Sequence, residues 1–152
     1  MHLVAPQIES AVKIPLLHIA DTTASYIKKT AISKVGLLGT KFTMEKPFYR
    51  DRIKERHEIE VITPNDEQRD VIHNIIYNEL CQGKIEENSR ALYKNIMADL
   101  VEQRAQGIIL GCTEITMLVN SNDATVPLFD TTDIHGHEAA FLACDSKSLS
   151  QY

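Results

Sequence analysis

The sequence predicts an α/β fold, with a parallel β-sheet covered by helices on both faces. Short apolar runs alternate along the 152 residues with longer stretches whose apolar positions recur at helical spacing. The short runs show little alternation between apolar and polar residues, which is typical of parallel strands buried on both faces. Strands and helices in this order form right-handed crossovers, so we expect one sheet with helices on each side.

Five apolar runs are predicted as strands, and glycine or proline bounds several of them. Pro15 lies near the start of the first run, Gly39 ends the second and Pro64 stops the third. The predicted strands cover residues 14–20, 35–39, 58–63, 107–111 and 125–129.

Helices are predicted between the strands. The first begins at Asp21 or Thr22, because either side chain can accept a hydrogen bond from an amide of the first turn. It is expected to reach about residue 30, and the other helices are predicted at 45–56, 66–80, 88–104 and 133 to about 143. The polar residues after Cys144 are expected to fray.

Composition excludes several classes of protein. The formal charge of -5, from 16 basic and 21 acidic residues, argues against a nucleic-acid partner. No run approaches the roughly 18 apolar residues of a membrane span, and the first residues do not resemble a signal peptide. We therefore expect a cytoplasmic protein with no membrane partner. Three cysteines at irregular spacing do not indicate a secreted disulfide framework.

Candidate site residues follow the ends of the predicted strands, where open parallel sheets bind their ligands. Gly111, Cys112, Thr113 and Glu114 come directly after the fourth strand and open a predicted helix. A cysteine at a helix start gains from the partial positive charge of the free amides, which lowers its pKa from about 8.5 toward neutrality. The alternative is a small buried cysteine that packs against the end of the sheet.

A second candidate segment, residues 39–43, follows the second strand in the same way. Thr40 and Thr43 place two hydroxyls three positions apart, beside the free amides of a helix start. This arrangement suits a small carboxylate better than a phosphate, since it lacks the glycines and the Gly-Lys-Ser/Thr of a phosphate loop. The alternative is that Thr40 only caps the helix.

The remaining polar and sulfur-containing candidates carry less weight. Asp130 and His135 follow the fifth strand and could orient other groups, although Thr132 or Asp133 could equally serve there as a helix cap. His135 and His137 have no third ligand nearby in sequence, so a zinc site is not predicted. The isolated Lys41 does not indicate pyridoxal phosphate. Further residues are interpreted as structural or surface groups: Tyr77, Cys81, Tyr93 and Cys144.

Taken together and in order, these segments resemble the aspartate/glutamate racemase family, in its aspartate racemase branch. The matching stretches are IPLLHIAD at 14–21, KVGLLGT at 34–40 with FTM at 42–44, ILGCTEI at 109–115, and VPLFDTT at 126–132 with Ile134 and His135. The resemblance covers nearly the whole chain up to about residue 143. Of these motifs, Gly-Cys-Thr-Glu after a buried strand is the most specific.

The resemblance implies two similar flavodoxin-like α/β halves, with a small amino acid or dicarboxylate bound between them. Members racemise amino acids without cofactor or metal, and they use two cysteines on opposite faces of the α-carbon. Cys112 would be one acid/base, and substrate would be held by Thr40, Thr43, Thr113 and Glu114. Glutamate-specific relatives usually have histidine at the position of Glu114, which favours aspartate or broad specificity.

The resemblance also implies that most of the first half is missing from this sequence. In the family the first cysteine stands in a Cys-Asn-Thr-type motif just before a Met-His pair, and this chain begins at Met1 and His2. Neither Cys81 nor Cys144 matches that cysteine. We expect residues 1–33 to be the remnant of the first half, 34–132 the complete second half, and 133–152 a C-terminal helix with a polar tail.

Two functions therefore stay open. One is a racemase, or its C-terminal portion. The other is a non-catalytic, truncated module that binds small acids or assembles through the surface left bare by the missing half. Family members are often dimers, so the resemblance makes a homodimer possible and leaves the oligomeric state of this chain open.

Overall fold

Eight α-helices and four β-strands make up residues 4–144, the part of the chain that the computed structural model describes. Before the sheet stand α1 (Ala5–Ala11) and α2 (Ile19–Lys28). The strands are β1 (Lys34–Leu38), β2 (Glu60–Ile62), β3 (Ile108–Leu110) and β4 (Leu128–Asp130). The other helices are α3 (Lys41–Glu45), α4 (Pro47–His57), α5 (Asp66–Asn78), α6 (Glu87–Glu102), α7 (Ile115–Leu118) and α8 (Thr131–Cys144). Short 3-10 turns lie at Leu80–Gln82 and Ser121–Asp123.

The four strands form one parallel sheet in the order β2-β1-β3-β4. β1 and β3 are its central strands, and their register pairs Gly36 with Ile108 and Leu38 with Leu110. Since every pair is parallel, the carboxyl ends of all four strands meet at one edge of the sheet. The predicted parallel α/β fold is confirmed.

Helices cover both faces of the sheet, as predicted. Successive residues of a strand point to opposite faces, so Leu37 packs with α2 and α4 while Leu38 packs with α5, α6 and α7. Both side chains are fully buried. The inner residues of the strands are apolar because each of these faces is covered, and the charged residues Lys34, Glu60 and Asp130 lie at strand ends.

Local sequence signals explain where α5 begins, where the turn after it closes, and which face of α6 is buried. Asn65 caps α5 by accepting a hydrogen bond from the Gln68 amide at 2.9 Å, and the Gln68 side chain returns a bond to the Asn65 amide. The turn after α5 closes at Gly83, whose φ of 73° favours glycine. In α6, one face buries Tyr93, Ile96, Met97 and Leu100.

The predicted strand at 14–20 is wrong. Ile14 is 74% exposed, residues 15–18 have no regular structure, and α2 begins already at Ile19. No strand of the described residues lies beside this segment, so its apolar run cannot be completed by a sheet ladder. The cap is His18, whose Nδ1 accepts a hydrogen bond from the Ala20 amide at 3.1 Å, and not Asp21 or Thr22.

Among the short helices, α1 was not predicted, α3 follows the helix start predicted after Gly39, and α7 begins at Ile115, later than the helix start predicted after Gly111. Helices α1, α3 and α7 have seven, five and four residues, too few for a helical repeat to stand out in sequence. The last strand is Leu128–Asp130, shorter and later than the predicted 125–129. The tail after Cys144 lies outside the described residues.

Asp21 serves instead as a junction between helices. Arg52 of α4 donates to both of its carboxylate oxygens, at 2.9 and 2.7 Å, and also to Glu9 of α1 at 2.9 Å. Burial acts to raise the pKa of Asp21, but the bonds from Arg52 outweigh it and the pKa is lowered. The Arg52 side chain is only 9% exposed, so this bidentate pair joins α1, α2 and α4 away from bulk water.

Replacement of Gly111 tests the packing of the central strands. A Cβ at Gly111 would lie 2.9 Å from the Leu38 carbonyl oxygen and 3.1 Å from Leu37 Cδ1, so Gly111→Ala must push β1 and β3 apart. We expect the free energy of unfolding in urea to fall by about 1–3 kcal/mol, the usual cost of overpacking.

Gly136→Ala is the matched control. It lies within α8 with no atom within 4 Å of an added Cβ, so we expect a gain of about 0.5–1 kcal/mol from helix propensity. If the two variants were equally stable, the close approach of the strands would not be what requires glycine at position 111.

Candidate functional site

The carboxyl edge of the sheet brings together two of the three predicted site segments. β1 leads through Gly39 into Thr40 and α3, and β3 leads through Gly111 into Cys112. The Gly111 amide donates to the Leu38 carbonyl at 2.7 Å, so the two loops leave the sheet side by side.

Thr43 lies against both loops. A Cβ built at Gly39 would be 3.2 Å from Thr43 Cβ, and a Cβ built at Gly111 would be 3.6 Å from Thr43 Cγ2. Glycine at these two positions therefore lets the threonine approach the backbone next to Cys112. Thr43 is therefore next to Gly111, the first residue of the Gly-Cys-Thr-Glu segment.

Thr40 and Thr43 form a hydroxyl pair, with their Oγ1 atoms 3.1 Å apart and both residues half-buried. Thr40 Oγ1 also accepts a hydrogen bond from the Thr43 amide at 3.3 Å, so the predicted capping role of Thr40 is confirmed. The Lys41 amide donates a hydrogen bond to His73 Nδ1 at 3.4 Å, so a second amide of this turn already has a partner. The hydroxyls, more than the amides, are thus available to a ligand.

Cys112 and Thr113 both donate hydrogen bonds to Glu114. The Cys112 thiol lies 2.9 Å and the Thr113 hydroxyl 2.7 Å from the same oxygen, Glu114 Oε2. These two donors lower the pKa of Glu114, the thiol contributing first. Hydrogen bonds therefore connect the polar side chains of the Gly-Cys-Thr-Glu motif, and the ionised Glu114 carboxylate accepts the hydrogen bond of the thiol.

The expected lowering of the thiol pKa is wrong. Burial raises the pKa of Cys112 to about 12, and the neighbouring Glu114 carboxylate adds to the rise. Helix α7 does not counter this, because it begins only at Ile115 and makes a single turn. At neutral pH the resting site thus holds a protonated thiol, which can give a proton but must be ionised before it can take one.

The third predicted segment stabilises the fold at the same edge. Asp130 Oδ1 accepts hydrogen bonds from the amides of Thr132 and Asp133, at 2.8 and 3.2 Å, so the cap of α8 is Asp130 and neither of those two residues. His135 Nδ1 lies 3.3 Å from the Thr22 hydroxyl, which ties α8 to α2. The side chains of Asp130 and His135 are therefore both engaged in contacts that hold α8 in place.

Sequence reasoning missed the groups that lie behind Cys112. The turn containing Cys81 packs against α7, and Cys81 is among the groups that act on the Cys112 thiol. The buried Tyr93 is part of the core cluster against which Cys112 packs. A helical repeat predicts that Tyr93 is buried, but no sequence signal places its hydroxyl relative to a loop nineteen residues away.

Other features of the described residues lie apart from Cys112. A cleft of about 1090 Å³ is lined by residues of α2, α4 and α8, among them Asp21, Arg52 and Phe141, but not by Cys112 or Thr40. Within residues 4–144, no three His, Cys, Asp or Glu side chains are grouped to hold a metal ion. No helix in this range is long and apolar enough to cross a membrane.

Comparison with known proteins identifies relatives of this chain. The sequence profile described as Asp/Glu/Hydantoin racemase matches residues 1–139. The broad specificity amino-acid racemase RacX of Bacillus subtilis is 26% identical over 131 residues, which are 86% of this chain and 56% of RacX. A protein of Pectobacterium carotovorum encoded in the pnlA 3' region is 29% identical over 112 residues, 74% of this chain and 73% of that protein.

Solved structures agree. A candidate Asp/Glu racemase from Yersinia pestis superposes with a TM-score of 0.92 at 56% identity, and an aspartate racemase homologue from Pyrococcus horikoshii with 0.87 at 35%. Each comparison covers 95% of this chain and 63% of the other, so the chain spans less than two thirds of the length of these relatives. On these matches of sequence and fold, the chain belongs to the Asp/Glu/hydantoin racemase family.

Proposed function

We propose that this chain is the Cys112-bearing part of a cofactor-independent amino-acid racemase that acts on aspartate or a broader set of small amino acids. The observation that carries the proposal is the thiol of Cys112, held 2.9 Å from Glu114 at the strand edge where Thr43 packs against Gly111. The thiol is half-buried, and it is linked to a titratable group that can exchange its proton.

The chemistry needs donors beside an acid/base group. An α-proton next to a carboxylate is very weakly acidic, so its removal requires fixed groups that stabilise the negative charge spreading onto the carboxylate. The hydroxyls of Thr40, Thr43 and Thr113 are donors of this kind near Cys112. We propose that they hold the carboxylate groups of the substrate.

Cys112 and Glu114 divide the proton transfer on one face of the substrate. In one direction the Cys112 thiol gives its proton to the substrate α-carbon and becomes a thiolate. In the other direction the thiol first passes its proton to Glu114, and the thiolate then removes the α-proton. The Glu114 carboxylate, already the acceptor of the thiol hydrogen bond, is placed for this exchange.

A complete racemase needs a second acid/base on the opposite face, since one thiol reaches only one side of the α-carbon. Cys81 and Cys144 are exposed, and neither matches the family position of that group. We propose that it comes from the half of the relatives that residues 34–132 do not represent, with residues 1–33 as the end of that half.

Hydrogen exchange at the α-carbon tests the role of Cys112. With one thiol on one face, the chain should replace the α-hydrogen of one aspartate enantiomer by deuterium in D₂O with retention of configuration. Cys112→Ser should abolish this exchange, because a serine hydroxyl is a far weaker acid/base near neutral pH. Proton NMR of L- and D-aspartate measures the exchange. Identical behaviour of wild type and variant, including no exchange in either, would contradict catalysis by this chain.

Glu114→Gln tests the coupling of carboxylate and thiol. The variant removes the charge that favours the protonated thiol, so the pKa of Cys112 should fall from about 12 and its alkylation by iodoacetamide at mildly alkaline pH should accelerate. One pKa unit corresponds to about a tenfold higher rate below the pKa. Glu86→Gln, an exposed carboxylate outside the site, is the matched control. An unchanged or slower alkylation of Cys112 in the Glu114 variant would refute the coupling.

The alternative function, a module for binding or assembly, is favoured by the surface of α8. Of its residues only Thr131 is buried, and the apolar run 139–143 includes Phe141, which is 60% exposed. Exposed apolar patches of this kind mark interaction sites. A binding module would give heat with aspartate, glutamate or malonate in calorimetry but no exchange.

Self-association through α8 is testable by sedimentation. Wild type should sediment as a dimer or larger species, and Phe141→Glu should shift it toward monomer because a charge replaces the exposed ring. Leu92→Glu, an exposed apolar position on α6, should leave the distribution unchanged. A monomeric wild-type chain would rule out assembly through this face.

A further inference from the structure

We propose that Tyr93 is a positioning residue for the site, whose hydroxyl donates a hydrogen bond to the Cys112 thiolate when that thiol ionises. For its consequence in catalysis the inference rests on the proposed acid/base role of Cys112. As a statement about the thiol itself, it stands on the packing and polar contacts behind Cys112.

Tyr93 lies in the layer directly behind the candidate site. It projects from α6 into the core cluster that contains Leu38, Leu110 and Ile115, and its side chain is fully buried. Cys112 packs against the same cluster. Tyr93 thus supports the ends of β1 and β3 and the first residue of α7, which surround the Cys112 loop.

The Tyr93 hydroxyl has no hydrogen-bond partner within residues 4–144, although its oxygen is buried. A buried donor left without a bond costs about 1–3 kcal/mol, and such groups are rare in folded proteins. Phenylalanine would fill the same space without this cost. A hydroxyl that finds its partner in another state of the site accounts for tyrosine at this position.

Cys112 is the partner inferred, because of the two charges that act on Tyr93 it is the one that appears only when the site ionises. Ionised Cys112 and Glu79 are the two charges that act on the tyrosine, and together with burial they raise its pKa. Glu79 already accepts a hydrogen bond from Ser89 at 2.5 Å. On the side of the thiol, the groups are Glu114 and Cys81. The ionised carboxylates of Glu79 and Glu114 cannot donate hydrogen bonds. The hydroxyl of neutral Tyr93 is therefore the buried donor among these groups.

Ionisation of Cys112 creates the need for a new donor. The thiol donates to Glu114 in the resting site, but a thiolate has no proton to donate and is repelled by that carboxylate. In the proposed ionised state the Cys112 side chain turns about its Cα–Cβ bond, away from Glu114 and toward Tyr93. A hydrogen bond to an ionised group is stronger than one between neutral groups, so the Tyr93 bond would stabilise the reactive form.

Tyr93→Phe tests the inference through the pH profile of Cys112 alkylation. Iodoacetamide labelling, resolved by peptide mass spectrometry, follows Cys112 while Cys81 and Cys144 in the same molecules serve as internal controls. Loss of the donor should raise the pKa of Cys112, so that its alkylation at a fixed pH below the pKa slows by about tenfold for each unit. The rates of Cys81 and Cys144 should not change.

Tyr49→Phe is the matched control, because Tyr49 is also buried but lies on the opposite face of the sheet. It should leave the Cys112 profile unchanged. If Tyr93→Phe does not fold, as judged by circular dichroism, Tyr93→Leu replaces it with the same expected profile. An unchanged or faster alkylation of Cys112 in the folded variant overturns the inference. Absence of α-hydrogen exchange with aspartate would instead bear on the proposed racemase function and leave this result intact.

Discussion

The close approach of the ends of β1 and β3 is the constraint on which the rest of the site depends. The Gly111 amide lies 2.7 Å from the Leu38 carbonyl, and any side chain at Gly111 would meet that oxygen at 2.9 Å. Because a glycine directly follows each of these strands, two loops that are distant in sequence leave the sheet in contact. Thr43 can then lie against the residue that precedes Cys112, so the hydroxyls and the thiol share one edge.

Packing on both faces of the sheet holds this edge in place, and the two faces have different roles. Leu38, Leu110 and Ile115 pack with α5 and α6 in one apolar cluster behind Cys112. The thiol packs against this cluster, so one side of it lies in an apolar environment. On the other face, Arg52 joins Asp21 and Glu9 and thereby attaches α1 and α2 to α4. An ion pair with a side chain only 9% exposed needs both partners in place, which fixes the helices before β1 against α4.

Much of the fold could be predicted because burial on both faces leaves a direct trace in sequence. The runs at 35–39 and 107–111 become β1 and β3, and Asn65 caps α5 through a pattern visible in four residues. The segment 14–20 has the same apolar character but no neighbouring strand among the described residues, and a single sequence cannot report what lies beside it. The cap by His18 was likewise missed, since histidine is not among the common caps.

The acidity of Cys112 could not be predicted, because it depends on packing and not on the order of residues. A cysteine after a strand and before a helix suggests a lowered pKa, yet α7 is a single turn and the thiol is half-covered by the core. Glu114 lies two residues away in sequence, and its carboxylate turns back to accept a hydrogen bond from the thiol. Burial and Glu114 together favour the protonated thiol. The role proposed for Cys112 uses both states of the thiol within one turnover, and the inferred hydrogen bond from the buried Tyr93 hydroxyl would stabilise the ionised one.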